Sequence, residues 1–254
     1  MKIASWNVNS LRVRLPHVLQ WLAEQKPDVL AMQETKTTDD QFPYDAFREA
    51  GYHVVYAGQK TYNGVAIASR AAPGDVVIAL PDFDDEQKRV LVATIDGVRI
   101  IDLYVPNGES VGSEKYRYKL AWLAKLKTYC AAELQAHSSV VVLGDFNIAP
   151  EDRDVHDPAA WYESVLCSTP ERDALRAVMS AGLRDTFRLF EQPDKVFSWW
   201  DYRMMAFRRN RGLRIDLVLA SDAMAQRCTA SYIDKAPRKL ERPSDHAPVV
   251  AEFR

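Results

Sequence analysis

The sequence is poor in the features that would staple it covalently or anchor it in a membrane. Its three cysteines, Cys130, Cys167 and Cys228, are odd in number and far apart. They fit neither a disulfide framework nor a CxxC metal site, which points to a reducing, cytoplasmic setting. No apolar run approaches the roughly 18 residues that a membrane-spanning helix needs, so no membrane association is expected. The chain opens Met1-Lys2-Ile3-Ala4-Ser5-Trp6, a strand from its second residue. It has no basic segment with an apolar stretch behind it, so no secretory signal is expected. Glycine is scarce (10 of 254 residues), and there is no Gly/Ser tract, internal repeat or low-complexity segment. With no shift in composition to mark a boundary, a single domain over residues 1–254 is expected. The apolar share of 47% is ample for a sizeable core.

What is present is unevenly charged. The net charge is −2, yet between Arg203 and Arg242 ten Lys or Arg face four Asp or Glu, leaving −8 on the remainder. Arg203, Arg208, Arg209, Arg211 and Arg214 fall within twelve residues. Such a patch suits a phosphate backbone, where each contact releases counterions. A solvated basic loop is the alternative that charge alone leaves open.

Short β-branched runs alternate with helical periods. Strands are predicted at Lys2–Trp6, Val29–Met32, His53–Tyr56, Val65–Ser69, Val90–Ile95, Val98–Tyr104, Val140–Leu143, Leu217–Ala220 and Val249–Phe253. After Ser113 the positions Tyr116, Leu120, Leu123, Leu126, Cys130 and Leu134 give one apolar stripe at helical spacing. A second helix is predicted after Thr169-Pro170, a capping residue and a proline at the first helical position, with Gly182 at its end. Asp96-Gly97 is a hairpin turn signal between two adjacent strands. Directly consecutive strands exclude a pure βαβ repeat and favour mixed sheets with helices outside.

Polar residues gather where these strands end, at Trp6-Asn7-Val8-Asn9, Gln33-Glu34-Thr35-Lys36, Tyr104-Val105-Pro106-Asn107, Gly144-Asp145-Phe146-Asn147, Arg214-Ile215-Asp216 and Ser244-Asp245-His246. Strand ends are where an α/β scaffold places reactive groups. Glu34, Asp145 and Asp245 offer oxygen ligands, to which Asn7 and Asn147 can add carbonyl oxygens or amide donors, a set suited to Mg²⁺. Asp145 and Asn147 share a face if the backbone between them is extended. His246 beside a carboxylate can serve as a cation or donor toward a phosphate, and Tyr104 supplies a donor without charge. Taken singly each has a plainer reading. Gly-Asp-x-Asn can be a turn, Asn7 and Asn9 can cap the following helix, Glu34 and Lys36 can be a surface ion pair, and Asp216 can pair with Arg214.

Taken in order, six segments resemble the motif set of the exonuclease III family of abasic-site endonucleases. They are Trp6-Asn7-x-Asn9, Gln33-Glu34-Thr35-Lys36, Tyr104-x-Pro106-Asn107, Gly144-Asp145-Phe146-Asn147, Gly212-Leu213-Arg214-Ile215-Asp216 and Ser244-Asp245-His246-Ala247-Pro248, and they cover essentially the whole chain. The resemblance implies a four-layer α/β sandwich, two mixed β-sheets packed face to face with helices on the outside. It implies a Mg²⁺-dependent phosphodiesterase, with Mn²⁺ as the alternative ion, acting as a monomer on double-stranded DNA with abasic sites or blocked 3′ ends. Carried over by position, it gives Glu34 the metal, with Asn7, Asp145, Asn147 and Asp245 close by. Asp145 would orient and deprotonate the attacking water, and Asn147 would hold that water or the phosphate. His246, polarised by Asp216, would contact the scissile phosphate, with Tyr104 and Asn107 donating to it. The division of proton transfer between Asp145 and His246 stays open. Trp199, Leu213 and Ile215 would wall a pocket for a flipped baseless sugar. Tyr202, Arg203 and the arginines through Arg211 would lie along the duplex, with Lys36, Tyr62 and Asn63 as further DNA contacts.

One segment departs from the family pattern. Leu166-Cys167-Ser168-Thr169-Pro170-Glu171-Arg172 is shorter than its counterpart in most members, where it lies near the abasic pocket. Because some members specialise in blocked 3′ ends, 3′-phosphodiesterase and 3′→5′ exonuclease activity are the firmer expectation and abasic-site incision the weaker. Two other readings carry different requirements. A secreted nuclease, sphingomyelinase or inositol-polyphosphate phosphatase on the same scaffold would not need Trp199 beside an arginine-rich loop, and a secreted form would show a signal peptide and a disulfide. A DNA-binding module without catalysis would show gaps in the acidic positions, which are intact.

Overall fold

The computed structural model describes residues 1–81, 83 and 85–254. Along the chain come β1 (Lys2–Asn7), α1 (Leu11–Gln25), β2 (Val29–Gln33), α2 (Tyr44–Glu49), β3 (His53–Ala57) and β4 (Val65–Ser69). Then follow β5 (Gly74–Ile78), β6 (Val90–Ile95), β7 (Val98–Tyr104), α3 (Glu114–Ala136) and β8 (Val140–Asp145). The remainder is α4 (Thr169–Met179), β9 (Leu183–Asp185), β10 (Asp216–Ser221), α5 (Asp222–Ala225), β11 (Cys228–Ile233) and β12 (Val249–Phe253). The strands form two six-stranded sheets, in the orders β11-β12-β1-β2-β4-β3 and β5-β6-β7-β8-β10-β9. Each sheet is mixed, with one parallel pair (β1 with β2, β7 with β8) among antiparallel ones. No helix of the described residues is long and apolar enough to cross a membrane.

Strand parity builds the layers. Alternate residues such as Ile3, Val29, Ile100, Val141 and Val218 share one core between the sheets. Their neighbours Ala4, Trp6, Leu30 and Met32 face α1 and α2, while Ile101, Leu103, Val140 and Val142 face α3 and α4. The result is the expected four-layer sandwich, helix–sheet–sheet–helix. The central strands bury both faces, which explains their near-continuous apolar runs.

All nine strands expected from the sequence form. Three more, β5, β9 and β11, were not foreseen because their patterns are weak. Strand β5 is an edge with four of five residues exposed, β9 has three residues, and β11 is a Ser/Thr-containing edge. Asp96 and Gly97 both adopt left-handed φ (+48° and +76°) and make the two-residue turn between β6 and β7. The α3 stripe buries Tyr116, Leu123, Leu126 and Cys130, whereas Leu120 and Leu134 are only half-buried, and Lys119 and Trp122 fill the face instead. The α4 cap also differs by one residue. Ser168, not Thr169, is the N-cap, because Glu171 at the third helical position closes a reciprocal capping box with it.

The inter-sheet seam turns polar at one end. Ser5 and Asn7, Gln33, Asp102 and Tyr104, and Asp145 continue the inward-facing parity of β1, β2, β7 and β8 past the last apolar residue. Register fixes them side by side: Asn7 pairs with Gln33, Tyr104 with Asp145, and Asp145 with Asp216. Gly144 permits the close approach just before Asp145. Its φ is +146°, and a Cβ there would meet the Leu103 carbonyl oxygen at 1.9 Å.

Beneath this end Gln33 Nε2 donates to Ser5 Oγ (3.0 Å) and to Asp102 Oδ1 (2.7 Å), tying the two sheets. Asp102 is fully buried, and burial raises its carboxyl well above the ordinary range. It therefore folds as the neutral acid while the unfolded chain ionises it. The stability of the protonated form is complete below the unfolded pKa and is lost as pH rises toward the folded value. Asp102→Asn does not ionise in either state. Its melting temperature is expected to exceed the wild type's at pH 8, with the gap closing toward pH 4. A gap independent of pH would contradict a neutral Asp102.

Candidate active site

The polar end of the seam brings together residues up to 239 positions apart. Asn7 sits at its centre: Asn7 Nδ2 donates to Glu34 Oε1 (2.8 Å) and to Asp145 Oδ2 (2.9 Å). Its Oδ1 accepts the Asn9 backbone N–H (3.0 Å), so the amide nitrogen faces the two carboxylates. Asn7 thus bridges the two acids through its amide nitrogen, and neither it nor Asn9 caps α1. Ser10 stands at that cap position, without a side-chain cap bond.

Asp145 Oδ1 accepts the Asn147 N–H (2.9 Å), and Asn147 Nδ2 reaches Val105 O (3.0 Å) and Asp145 Oδ2 (3.3 Å). The segment is not extended, as the shared-face expectation required. Asn147 has φ +49°, and a tight turn brings its amide back over Asp145. Asn107 Nδ2 then donates to Asn147 Oδ1 (3.2 Å). Left-handed backbone also occurs at Asn9, Ser10, Glu34, Lys36 and Asn63 in the loops around the site.

On the far side, His246 Nδ1 contacts Asp216 at 2.9 and 3.1 Å, and His246 Nε2 lies 3.8 Å from Asp145 Oδ2. Arg214 does not pair with Asp216. Ser198, which sequence reasoning passed over, donates from Oγ to Asp216 Oδ2 (2.6 Å) and accepts the Ile215 and Asp216 N–H groups. Burial opposes a charged His246, but Asp216 and Asp145 outweigh it and hold the imidazolium up to about 10. Burial likewise pushes Asp145 up, to about 7, against the pull of the His246 charge and with Asp216 and Glu34 adding to the rise. These two shifts pull against each other, since a neighbouring imidazolium favours the Asp145 anion. The three amide donors aimed at Asp145 suit the carboxylate, so its ionised form is the one this geometry accommodates. Tyr104 is raised well above its ordinary value by burial and by Glu34 and Asp145, and stays a neutral donor.

Atoms of Glu34, Asp145 and His246 lie within 4.8 Å of one another, a possible cation site. Of the three, Glu34 and Asp145 offer the hard oxygen donors that suit a divalent cation, while His246 Nδ1 is already engaged by Asp216. Two crowded carboxylates with hard oxygen donors are what a divalent cation relieves. Asp245 lies outside that group. Its Oδ1 accepts Asn9 Nδ2 (2.9 Å) and its Oδ2 accepts Trp199 Nε1 (3.0 Å). Lys36 Nζ bonds Asn9 Oδ1 (2.6 Å) and pairs with Glu34 (2.8 Å), so it is both the ion pair and part of the site.

A cleft of about 840 Å³ opens beside Glu34, Tyr104 and Asn107 and runs past Tyr62, Asn63 and Arg89. Tyr62 is exposed, while Asn63 is buried against Gln59 and Gln87. Arg89, unforeseen, stacks 4.6 Å from the Tyr104 ring centre. Tyr202 and Arg203 are exposed, with Arg203 paired to Asp201 (2.7 Å). Arg14, a helix residue with no local signal, donates to Tyr202 Oη (3.1 Å) and Pro243 O (2.9 Å). Next to Tyr202, Met204 and Met205 are exposed (73% and 55%) on left-handed backbone. The basic patch is smaller than the sequence suggested. Arg208, Arg209 and Arg211 are exposed, but Arg214 is buried between Asp154 (2.7 Å) and Asp185 (2.8 Å). Leu213 and Ile215 are fully buried with Leu166, Cys167 and Val155, and only Trp199 of that expected wall is partly open.

Residues 4–246 match the model of the endonuclease/exonuclease/phosphatase family. An exodeoxyribonuclease III of Haemophilus influenzae is 38% identical over 268 residues, covering the whole of both chains. A solved 3′ phosphatase, NExo from Neisseria, bound to a product DNA hairpin, is 48% identical with a TM-score of 0.99 over 100% of this chain and 99% of that one. An AP endonuclease from Archaeoglobus fulgidus is 42% identical with a TM-score of 0.96, over the same shares. The chain belongs to the endonuclease/exonuclease/phosphatase family, whose nucleases are metal-dependent.

Two outcomes follow from this geometry. In metal-free protein at pH 8 both His246 ring nitrogens are expected to carry protons by ¹⁵N NMR, and Asp216→Asn should make the ring titrate at lower pH. A neutral ring in the wild type would remove the imidazolium. Arg214→Met should destabilise by about 3–5 kcal/mol in urea unfolding, because it leaves Asp154 and Asp185 buried and unpaired. Arg209→Met should stay within about 0.5 kcal/mol.

Proposed function

We propose that this family member is a Mg²⁺-dependent phosphodiesterase of DNA repair acting on duplex DNA. It clears blocked 3′ ends and removes nucleotides 3′→5′, and it incises 5′ to abasic sites. The observation that carries this reading is the chain Glu34–Asn7–Asp145–His246–Asp216, which joins an acidic pair to a buried imidazole at the head of the cleft lined by Glu34, Tyr104 and Asn107.

In this mechanism the scissile phosphate lies at the cleft head, against His246, the Tyr104 phenol and the Asn107 amide. The imidazolium, held by Asp216, meets negative charge as it grows on the phosphoryl oxygens. Its burial strengthens that interaction and needs no reorganisation. Asp145 orients the attacking water and receives its proton, while the Asn7 and Asn147 amides fix the carboxylate's direction. Glu34 and Asp145 would hold Mg²⁺, which neutralises phosphoryl or leaving-oxygen charge when bound. Asp245 acts indirectly in this reading, by orienting Asn9 and Trp199.

Recognition of the duplex is assigned to Arg208, Arg209 and Arg211 on phosphates, with Tyr62 on the opposite rim and the exposed Met204 as an apolar wedge toward a groove. Preference for 3′ ends is supported by the closed cluster over Leu213 and Ile215, which leaves little apolar wall for a flipped sugar. The Neisseria 3′ phosphatase supports the same direction.

Asp145→Asn is expected to lower kcat for 3′-end cleavage with Mg²⁺ by about 10²–10⁴-fold. Cleavage at the wild-type rate would falsify the assignment of the base. Wild-type protein should also process a 3′-phosphate duplex faster than one carrying an internal abasic analogue. Equal rates on the two would mean that the closed cluster does not select the substrate.

A further inference from the structure

We propose that Lys119 is a positioning residue for the reaction: its buried ammonium pins the Asn107 and Asn147 loops together and so sets the phosphate and water ends of the site. This rests on the reading of the site given above. Lys119 lies on α3 and is 0% exposed, an unusual place for a lysine unless every donor is used. Every donor is used. Nζ donates to Asn107 O (3.0 Å), Asn147 O (2.6 Å) and Glu171 Oε1 (2.5 Å), three hydrogens on three acceptors.

The two carbonyls belong to the residues whose side chains also meet, Asn107 Nδ2 on Asn147 Oδ1 (3.2 Å). Asn147 is left-handed, with its N–H turned to Asp145 and its C=O turned to Lys119. The ammonium therefore holds the outer side of the peptide turn whose inner side orients Asp145. Gly108 leaves room for the lysine stem, since a Cβ there would stand 3.1 Å from Lys119 Cδ. Glu171 extends the clamp. It accepts the Leu166 N–H (3.1 Å), the Ser168 N–H (3.2 Å) and Ser168 Oγ (2.5 Å), so the short segment before α4 is tied to the same ammonium.

A buried ion pair is weak grounds for stability, because apolar or neutral pairs of similar volume replace it at little cost. What a neutral pair cannot replace here is the pair of hydrogen bonds to the two loop carbonyls. A shift of about 1 Å at reacting groups can cost about a hundredfold in rate.

The double variant Lys119→Met/Glu171→Gln removes both charges and separates the two roles. Its kcat on a 3′-phosphate duplex with Mg²⁺ is expected to fall about 10- to 100-fold. KM should stay within about threefold, since duplex affinity comes from phosphate contacts elsewhere, and the melting temperature should fall only modestly, because two carbonyls lose a donor but no charge is left buried. Lys119→Arg keeps the charge opposite Glu171 and is the second arm should the double variant not fold. Its bulkier planar head is expected to displace the carbonyls and lower kcat at unchanged KM. Wild-type kcat in either folded variant overturns the proposal. Absence of turnover by the wild type would instead overturn the functional reading, and the positioning role with it.

Discussion

One amide joins the two halves of this molecule where its chemistry lies. Asn7 donates to Glu34 of its own sheet and to Asp145 of the other, so two carboxylates that would repel are held a fixed distance apart. Both sheets must be packed and in register for that bridge to form. The apolar seam beneath it, from Ile3 and Val29 to Val141 and Val218, provides the rigidity. The site is in effect the polar mouth of the hydrophobic core. The parity that buries valine and leucine lower in the seam delivers Asn7, Tyr104, Asp145 and Asp216 at its end.

Charge inside the molecule follows one rule at three places. His246 is drawn toward the cation by Asp216 and Asp145, which flank it, Arg214 is buried because Asp154 and Asp185 flank it, and Lys119 is buried with Glu171 and two carbonyls. Each cation ties together segments distant in sequence, and each would be costly alone. Only the first stands directly against Asp145. The arginine cluster that looked uniform therefore divides into surface cations and a structural one, and composition could not distinguish them.

The strand ends were legible because alternation and turn residues are local signals. The missed strands were edges, where half-exposed residues blur the alternation. The contacts of Asn7, Asn147 and Asp245 were not legible for another reason. Residue type announces a possible ligand or donor, but which atom of an amide faces a carboxylate depends on partners elsewhere. Ser198, Arg14 and Lys119 gave no signal at all, since their partners Asp216, Tyr202 and Glu171 lie 18, 188 and 52 residues away. Leu213 and Ile215 were identifiable as apolar, but their coverage by Leu166 and Cys167 was not.

By itself the sequence determined the layer architecture, the family and the set of acids, amides and histidine that meet, because each depends on residue type and short spacing. Tertiary structure alone decided which carboxylates stand close enough to share a cation and which histidine neighbour is its partner. It also decided which arginine is buried and whether the apolar wall is open. Those outcomes depend on distances and dielectric surroundings created only when the two sheets close on each other, and Coulomb energies change several-fold between water and such an interior.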